Sequence, residues 1–340
     1  MIMPDMKGKI PMNMQRLSWI GISMCLMLVI AAQSQGDEVS LRFRDDGTFR
    51  IVQFADVHWT WGIGDDRKSG RLMRAVLDEE QPDLVVYTGD NITGGALLTY
   101  RALRQVTAPC AERNISWAAV FGNHDDEGRA DRRKMMELMR NLPGCLASAG
   151  PDAVSGVSNY VLAVTSSRKA ETPAALLYFF DSLGYMQHQG EKRYNYIQPS
   201  QLQWYRNESK RFREAIPEVL LPALAFFHIP LPEYRQAWVS GNALGVSQEE
   251  VADSPVNSGL FDVMKEMGDV MGVFVGHDHI NDYIGELNGI YLAYGRGTGY
   301  STYGKDGFPR GARVIELLEG KRQFRTWLRL EGGAQEMQLP

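Results

Sequence analysis

The chain reads as an α/β sandwich built around a mixed sheet. Two observations point there. Apolar runs of strand length alternate with amphipathic stretches of helical period in the first half, and strand-like runs follow one another towards the end. No internal repeat and no Pro- or Ser-rich linker interrupts the pattern, so one domain is the simpler organisation. With 44% apolar and 23% charged residues, the composition suits a sizeable core and excludes a disordered chain or a collagen-like repeat. A net charge of −5 argues against a general nucleic-acid binder. Three cysteines are too few for a disulfide scaffold or a thiolate metal cluster.

Taken in chain order, the first 36 residues stand apart. Lys7, Lys9 and Arg16 precede an apolar run over 17–32, which ends in small and polar residues. The run is short for the ~20 residues of a membrane span. A secretory signal peptide over 1–36 is expected, cleaved near Ser34 or Gly36, with an uncleaved N-terminal anchor as the alternative. Cleavage removes three positive charges and one negative, leaving residues 37–340 at −7. That domain would be periplasmic or secreted, with no stable membrane span. Cys25 leaves with the segment. Cys110 and Cys145 remain, either paired in an oxidising compartment or as two unrelated buried thiols.

Strands are then expected over 49–54, 83–88 and 116–121, separated by helices over 67–80 and 96–112. A helix over 129–142 stops at Pro143-Gly144, and strands over 159–165 and 174–180 follow. A polar loop carrying Tyr185, His188 and Tyr194 leads to a helix over 200–215; it is either a substrate rim or a mobile exposed loop. Strands over 220–227, 270–275, 291–294, 312–318 and 324–330 complete the chain.

The chemistry-bearing residues sit at the ends of these strands, where ligands gather in α/β sheets. They are Asp56-Val57-His58, Gly89-Asp90, Gly122-Asn123-His124-Asp125, His228, and Gly276-His277-Asp278-His279. Five of the six histidines fall at such ends, and only His188 lies elsewhere. In Asp56-x-His58 and His277-x-His279, side chains two apart on an extended segment project to one side, so each pair can serve one centre. Imidazole and carboxylate donors suit Mn, Fe or Zn. Seven side-chain ligands are too many for one tetrahedral ion and natural for two divalent ions sharing a bridge. Asp90, on a middle strand, is the plausible bridge. Two such ions with Asp56, Asp90 and one hydroxide keep one surplus positive charge, which attracts a phosphate ester.

Together these five segments resemble the signature of the calcineurin-like metallophosphoesterase superfamily, from about Phe49 to Tyr294. The resemblance implies a four-layer αββα sandwich of two mixed sheets flanked by helices. It assigns Asp56, His58, Asp90 and His279 to one metal, and Asp90, Asn123, His228 and His277 to the other. It places His124 over the substrate phosphate, with Asp125 orienting its imidazole. Trp117-Ala118-Ala119-Val120, Phe227-His228-Ile229-Pro230-Leu231-Pro232 and Val256-Asn257-Ser258-Gly259 are similar to the purple-acid-phosphatase-like, Dcr2-type branch. True purple acid phosphatases carry Tyr three residues after the bridging Asp and begin with Asp-x-Gly. This chain has Thr93 and His58 there, which implies an all-divalent centre without a ferric tyrosinate.

The expected activity is hydrolysis of phosphomonoesters, a small phosphorylated substrate being attacked by a metal-activated hydroxide. A phosphodiesterase or nucleotide pyrophosphatase is the alternative within enzymes, and a non-catalytic metal- or phosphate-binding protein the alternative outside them. In Gly295-Arg296-Gly297-Thr298-Gly299, read as a turn beside the site, Arg296 is a candidate phosphate contact; Lys305 and Arg310 read as solvated surface. Oligomeric state has no signal in the sequence.

Overall fold

The computed structural model describes residues 41–93, 98–169 and 171–339; the expected signal segment, Cys25 and the boundary near residue 36 lie outside them. The first half comprises β1 (Thr48–Phe54), α1 (Asp65–Glu80), β2 (Leu84–Thr88), α2 (Thr99–Val106), α3 (Ala108–Ala111), β3 (Ser116–Val120) and α4 (Arg132–Arg140). Then come β4 (Tyr160–Thr165), β5 (Pro173–Phe179), β6 (Tyr185–His188), β7 (Glu191–Tyr194), α5 (Pro199–Ala215) and β8 (Ala223–Phe226). The rest is α6 (Glu233–Val239), α7 (Leu260–Met267), β9 (Val270–Val275), β10 (Ile284–Leu287), β11 (Ile290–Tyr294), β12 (Gly311–Leu318), β13 (Phe324–Leu330) and β14 (Gln335–Leu339).

Two six-stranded mixed sheets result, ordered β14-β13-β12-β1-β2-β3 and β10-β11-β9-β8-β5-β4. β1, β2 and β3 run parallel, as do β5, β8, β9 and β11, so their carboxyl ends converge at one rim of each sheet. Strand alternation builds the layers. Leu177, Phe179, Leu224, Phe226, Met271 and Phe274 join the core shared with the first sheet. Their neighbours Leu176, Tyr178, Ala223, Ala225, Val270 and Val273 pack instead with residues of α5, α6 and α7. Helices α1 and α3 pack on the first sheet. The expected helix–sheet–sheet–helix order is the observed one.

Between the sheets, Phe179, Phe226 and Phe274 stack in series, their centroids 5.3 and 5.5 Å apart. Near the strand ends Gln53 Nε2 donates to Thr88 Oγ1 (3.0 Å) and to the Val275 carbonyl (2.9 Å), tying β1 and β2 to β9. Arg313 is fully buried there too, donating to the carbonyls of Tyr294 and Asp282 and to Thr326 and Gln338. Each of these donor nitrogens finds an acceptor, as buried polar groups usually do, while Gln53 Oε1 is left without a partner.

Several features depart from expectation. The helix over 96–112 splits into α2 and α3, because Pro109 has no N–H to continue the ladder and is tolerated only in the first turn of a new segment. The loop of Tyr185, His188 and Tyr194 is a hairpin, β6–β7, closed by Gln189 (φ 51°) and Gly190 (φ 85°). Two successive left-handed residues make the turn whose twist matches a hairpin, but Gln-Gly is a weaker signal than Asn-Gly. Helices α6 and α7, of seven and eight residues, are too short for a helical period to declare itself. Of the two readings left open for Cys110 and Cys145, the structure has the unpaired thiols, Cys110 buried and Cys145 half-buried.

Candidate metal centre

The site lies where the loops after β1, β2, β3, β8 and β9 meet. Backbone conformation shapes it before any side chain does. Asp56 (φ 55°), His58 (φ 48°), Asp90 (φ 48°) and His277 (φ 79°) all occupy the left-handed region, which costs side-chain-bearing residues energy and concentrates at functional sites. Glycine precedes the ligand candidates for a steric reason. A Cβ on Gly89 would sit 2.6 Å from His228 Nδ1, and one on Gly122 would sit 2.1 Å from Asp90 Oδ1.

Two clusters of buried donors form. Asp56, His58 and His279 offer ligand atoms within 4.8 Å of one another, and so do Asp90, His228 and His277. Asp90 reaches both, with Oδ2 3.2 Å from His228 Nε2 and 3.5 Å from His58 Nε2. Asn123 Oδ1 faces His228 Nε2 at 3.2 Å. His277 and His279 therefore divide between the clusters. This is the division that the resemblance implies; spacing alone, which would let the pair serve one centre, does not give it, and the backbone at His277 is left-handed rather than extended.

The donor chemistry fits cations. His228 Nδ1 donates to the Thr88 carbonyl at 2.8 Å, which leaves Nε2 facing Asp90 Oδ2, Asn123 Oδ1 and His277 Nδ1, each at 3.2 Å. One proton can bridge only one of those gaps, whereas a metal ion satisfies every lone pair at once. Nε2 of His58 is buried without a hydrogen-bond partner. Burial pushes His58 down to about 4 and His277 down to about 3, so both are neutral donors at neutral pH, as metal binding requires. Burial also opposes charge on His228, but Asp90 outweighs it and raises that imidazole to about 9. His279 Nδ1 lies 3.0 Å from Thr302 Oγ1 and 3.3 Å from the Tyr303 carbonyl, and the Tyr303 ring stacks on it at 4.0 Å. Such partners set which nitrogen faces the cluster.

His124 is set apart from its neighbours. Its backbone N–H donates to Asp90 Oδ1 at 2.8 Å, while its half-exposed ring lies 5.4 Å from that of His58. The carboxylate beside its Nδ1 is Glu127 Oε2, at 2.7 Å, and not Asp125. Asp125 is buried, and its oxygens accept from the N–H groups of Asn91, Ile92 and Gly122 and from Asn91 Nδ2. Its acceptors are thus occupied in binding the loop after β2 to the loop after β3, which corrects the expectation that it orients His124. Burial, then Asp90, pushes its carboxyl up to about 7.

Arg296 is also corrected. It is buried, pairs with Asp282, donates Nε to the Pro309 carbonyl at 2.7 Å and lies 3.3 Å over the Phe308 ring, so it is not open to a substrate. The turn that carries it does flank the centre, with Thr298 and Gly299 donating to the carbonyls of Ala55 and Asp56. Lys305 is exposed, but Arg310 is buried and donates to the Thr302 and Tyr303 carbonyls. Residues that sequence reasoning missed include Glu127, whose spacing of three from His124 was an available signal, and Arg132, which donates Nη2 to the Gly122 carbonyl at 2.8 Å. Tyr185 and Tyr194 reach the second cluster. Asn123 Nδ2 donates to the Tyr185 hydroxyl at 2.9 Å, and the Tyr194 ring stands edge-on to His277 at 4.5 Å. His188, on the same hairpin, faces elsewhere, beside Arg193 and Asp253.

A family model described as "Calcineurin-like phosphoesterase" matches residues 49–281. The chain is 36% identical over 328 residues to "Probable inactive purple acid phosphatase 28" of Arabidopsis thaliana, covering 86% of this chain and 82% of that one. It is 34% identical to "Phosphatase DCR2" of Saccharomyces cerevisiae, over 87% of this chain and 56% of that one. In fold it is similar to a dimetal phosphatase from Danio rerio, with a TM-score of 0.55 at 15% identity over 86% of this chain and 98% of that one. With a family model spanning most of the chain and relatives above 30% identity along most of its length, the chain belongs to the calcineurin-like phosphoesterase family, in its purple-acid-phosphatase-like, Dcr2-type branch.

Proposed function

We propose that the chain is a binuclear metal-dependent phosphatase acting on phosphomonoesters. The observation that carries this is Asp90, whose one carboxylate oxygen lies within 3.5 Å of imidazole nitrogens from both clusters. Asp56, His58, Asp90 and His279 would hold one divalent ion, and Asp90, Asn123, His228 and His277 the other. Two such ions, when bound, supply an acidified water for attack on phosphorus and positive charge opposite the phosphoryl oxygens.

The chain's own residues supply the rest. His124 stands beside both clusters without belonging to either, and Glu127 accepts from its Nδ1. That leaves Nε2 to protonate the departing alkoxide as a general acid. Asp125 and Arg132 hold the loop that carries Asn123 and His124. The plant relatives are named as probably inactive and the yeast relative as a phosphatase. This chain carries the seven ligand candidates together with His124, and a residue placed to give a proton favours activity over a binding-only role.

The deciding assay compares p-nitrophenyl phosphate with bis-p-nitrophenyl phosphate on protein loaded with Mn, Fe or Zn. Preferential turnover of the bis ester would replace the monoesterase reading with a diesterase one, and no turnover with any metal would replace it with a binding protein. Export rests on residues 1–36 and is checked by intact mass. A processed chain beginning near residue 35–37 is expected, and an exported chain retaining Met1 or Met14 would contradict it. Among the described residues no helix is long and apolar enough to cross a membrane.

A further inference from the structure

A phosphate at a two-ion centre presents more oxygens than the ions neutralise, and some side-chain donor must meet the remainder. Arginine is the usual donor, yet the buried arginines around this centre are engaged elsewhere. Arg132 is held by Asp126, Asp181 and the Gly122 carbonyl, and Arg296 by Asp282 and Pro309. Arg310 donates to two loop carbonyls, and its free Nη1 is shut away from solvent.

The β6–β7 hairpin supplies an open donor. Asn123 must turn its Oδ1 towards His228 to complete the second cluster, which points its Nδ2 at the Tyr185 hydroxyl. The phenol oxygen accepts that bond, so its own proton is free to be donated, and among the described residues it has no other partner. The ring is pinned: it stacks with Tyr194 at 5.6 Å and 25°, and Lys192 Nζ lies 3.6 Å over its face. Tyr194 in turn packs on His277, so the hairpin is fastened to the second cluster at two points.

Resting on the phosphatase reading above, we propose that Tyr185 is a substrate-binding residue, its hydroxyl donating a hydrogen bond to a phosphoryl oxygen at the metal centre. The hairpin would then add to the centre a donor that the strand-end motifs do not contain.

Tyr185→Phe keeps the ring and its stacking and removes only the hydroxyl. Two readouts, neither requiring turnover, are metal content by mass spectrometry and the affinity of the metal-loaded protein for inorganic phosphate by calorimetry. The variant is expected to retain two ions per chain and to bind phosphate about tenfold more weakly or worse, the worth of a hydrogen bond to a charged acceptor. Phosphate affinity within twofold of wild type would overturn the proposal. So would loss of an ion together with phosphate binding, which would reduce Tyr185 to a positioning residue for Asn123, or a wild-type chain that binds no phosphate. A wild-type chain that binds phosphate but hydrolyses no ester would refute the phosphatase reading alone, and the comparison would still decide on Tyr185.

Discussion

Replacing Glu127 by Gln isolates the contact that the structure puts in place of the expected Asp125–His124 pair. The Glu127 carboxylate is 2.7 Å from His124 Nδ1, but the two side chains are 38% and 39% exposed. An ion pair that open to water is worth about 0.2–1 kcal/mol. If all of it is realised in the transition state, kcat falls roughly 1.4- to 5-fold. His124→Ala removes the proposed acid itself, and the loss should be about 10²–10⁴-fold on a poor leaving group such as phenol. For p-nitrophenol, which needs little protonation, both losses should shrink. Asp125→Asn should behave differently from either. An amide cannot accept from all the donors that Asp125 now satisfies, and each buried group left unpaired costs about 1–3 kcal/mol. Its signature is therefore a lowered Tm together with weakened metal retention. The assay is kcat on phenyl phosphate and p-nitrophenyl phosphate for the three variants, at low salt and at 1 M NaCl, with thermal melts alongside. Salt should erase most of the Glu127→Gln effect by screening it in the wild type. A Glu127→Gln variant as damaged as His124→Ala would refute these roles. So would an Asp125→Asn variant that melts like wild type while losing activity only on poor leaving groups.

Asp90→Asn should deplete both ions, since that carboxylate faces imidazoles of both clusters, whereas Asp56→Asn should mainly deplete one; two tightly held ions in Asp90→Asn by elemental analysis would contradict the bridge. The loaded protein should be colourless. Thr93 stands where a tyrosinate would be needed, and the hydroxyls of Tyr185 and Tyr303 are bonded to Asn123 and Glu249, so a strong visible band lost on metal removal would overturn this. Burial pushes the thiols of Cys110 and Cys145 up to about 12, so Ellman's reagent at pH 8 should react slowly with both until the chain is unfolded; a Cys110–Cys145 disulfide in a non-reducing peptide map would refute that.

The ligand candidates were legible because histidine and aspartate after apolar strand runs have few reasons to be there other than chemistry, and the strand runs themselves declare where sheet ends converge. Their partners were less legible, and the reason is geometric. A period of two presumes an extended backbone, but Asp56, His58, Asp90 and His277 are left-handed, so spacing alone does not fix side-chain directions around them. His277 and His279 separate although Asp56 and His58 stay together, and in the loop after β3 Asp125 turns inward to backbone N–H groups while Glu127 meets His124. Residues in such conformations cost about 1–3 kcal/mol each and persist only where the surroundings hold them. The holding groups are visible: Asp125 across two loops, Arg132 on the Gly122 carbonyl, and Gln53 joining the sheets beneath. From sequence, a polar residue that holds a strained ligand loop and one that touches substrate look alike, since both sit within a few positions of the motif. Asp125 and Arg296, two of the residues read as chemistry, prove to be part of the frame. Tyr185, more than 60 positions from Asn123 and in the segment left open between a substrate rim and a mobile loop, reaches the centre from a hairpin with no strong turn signal.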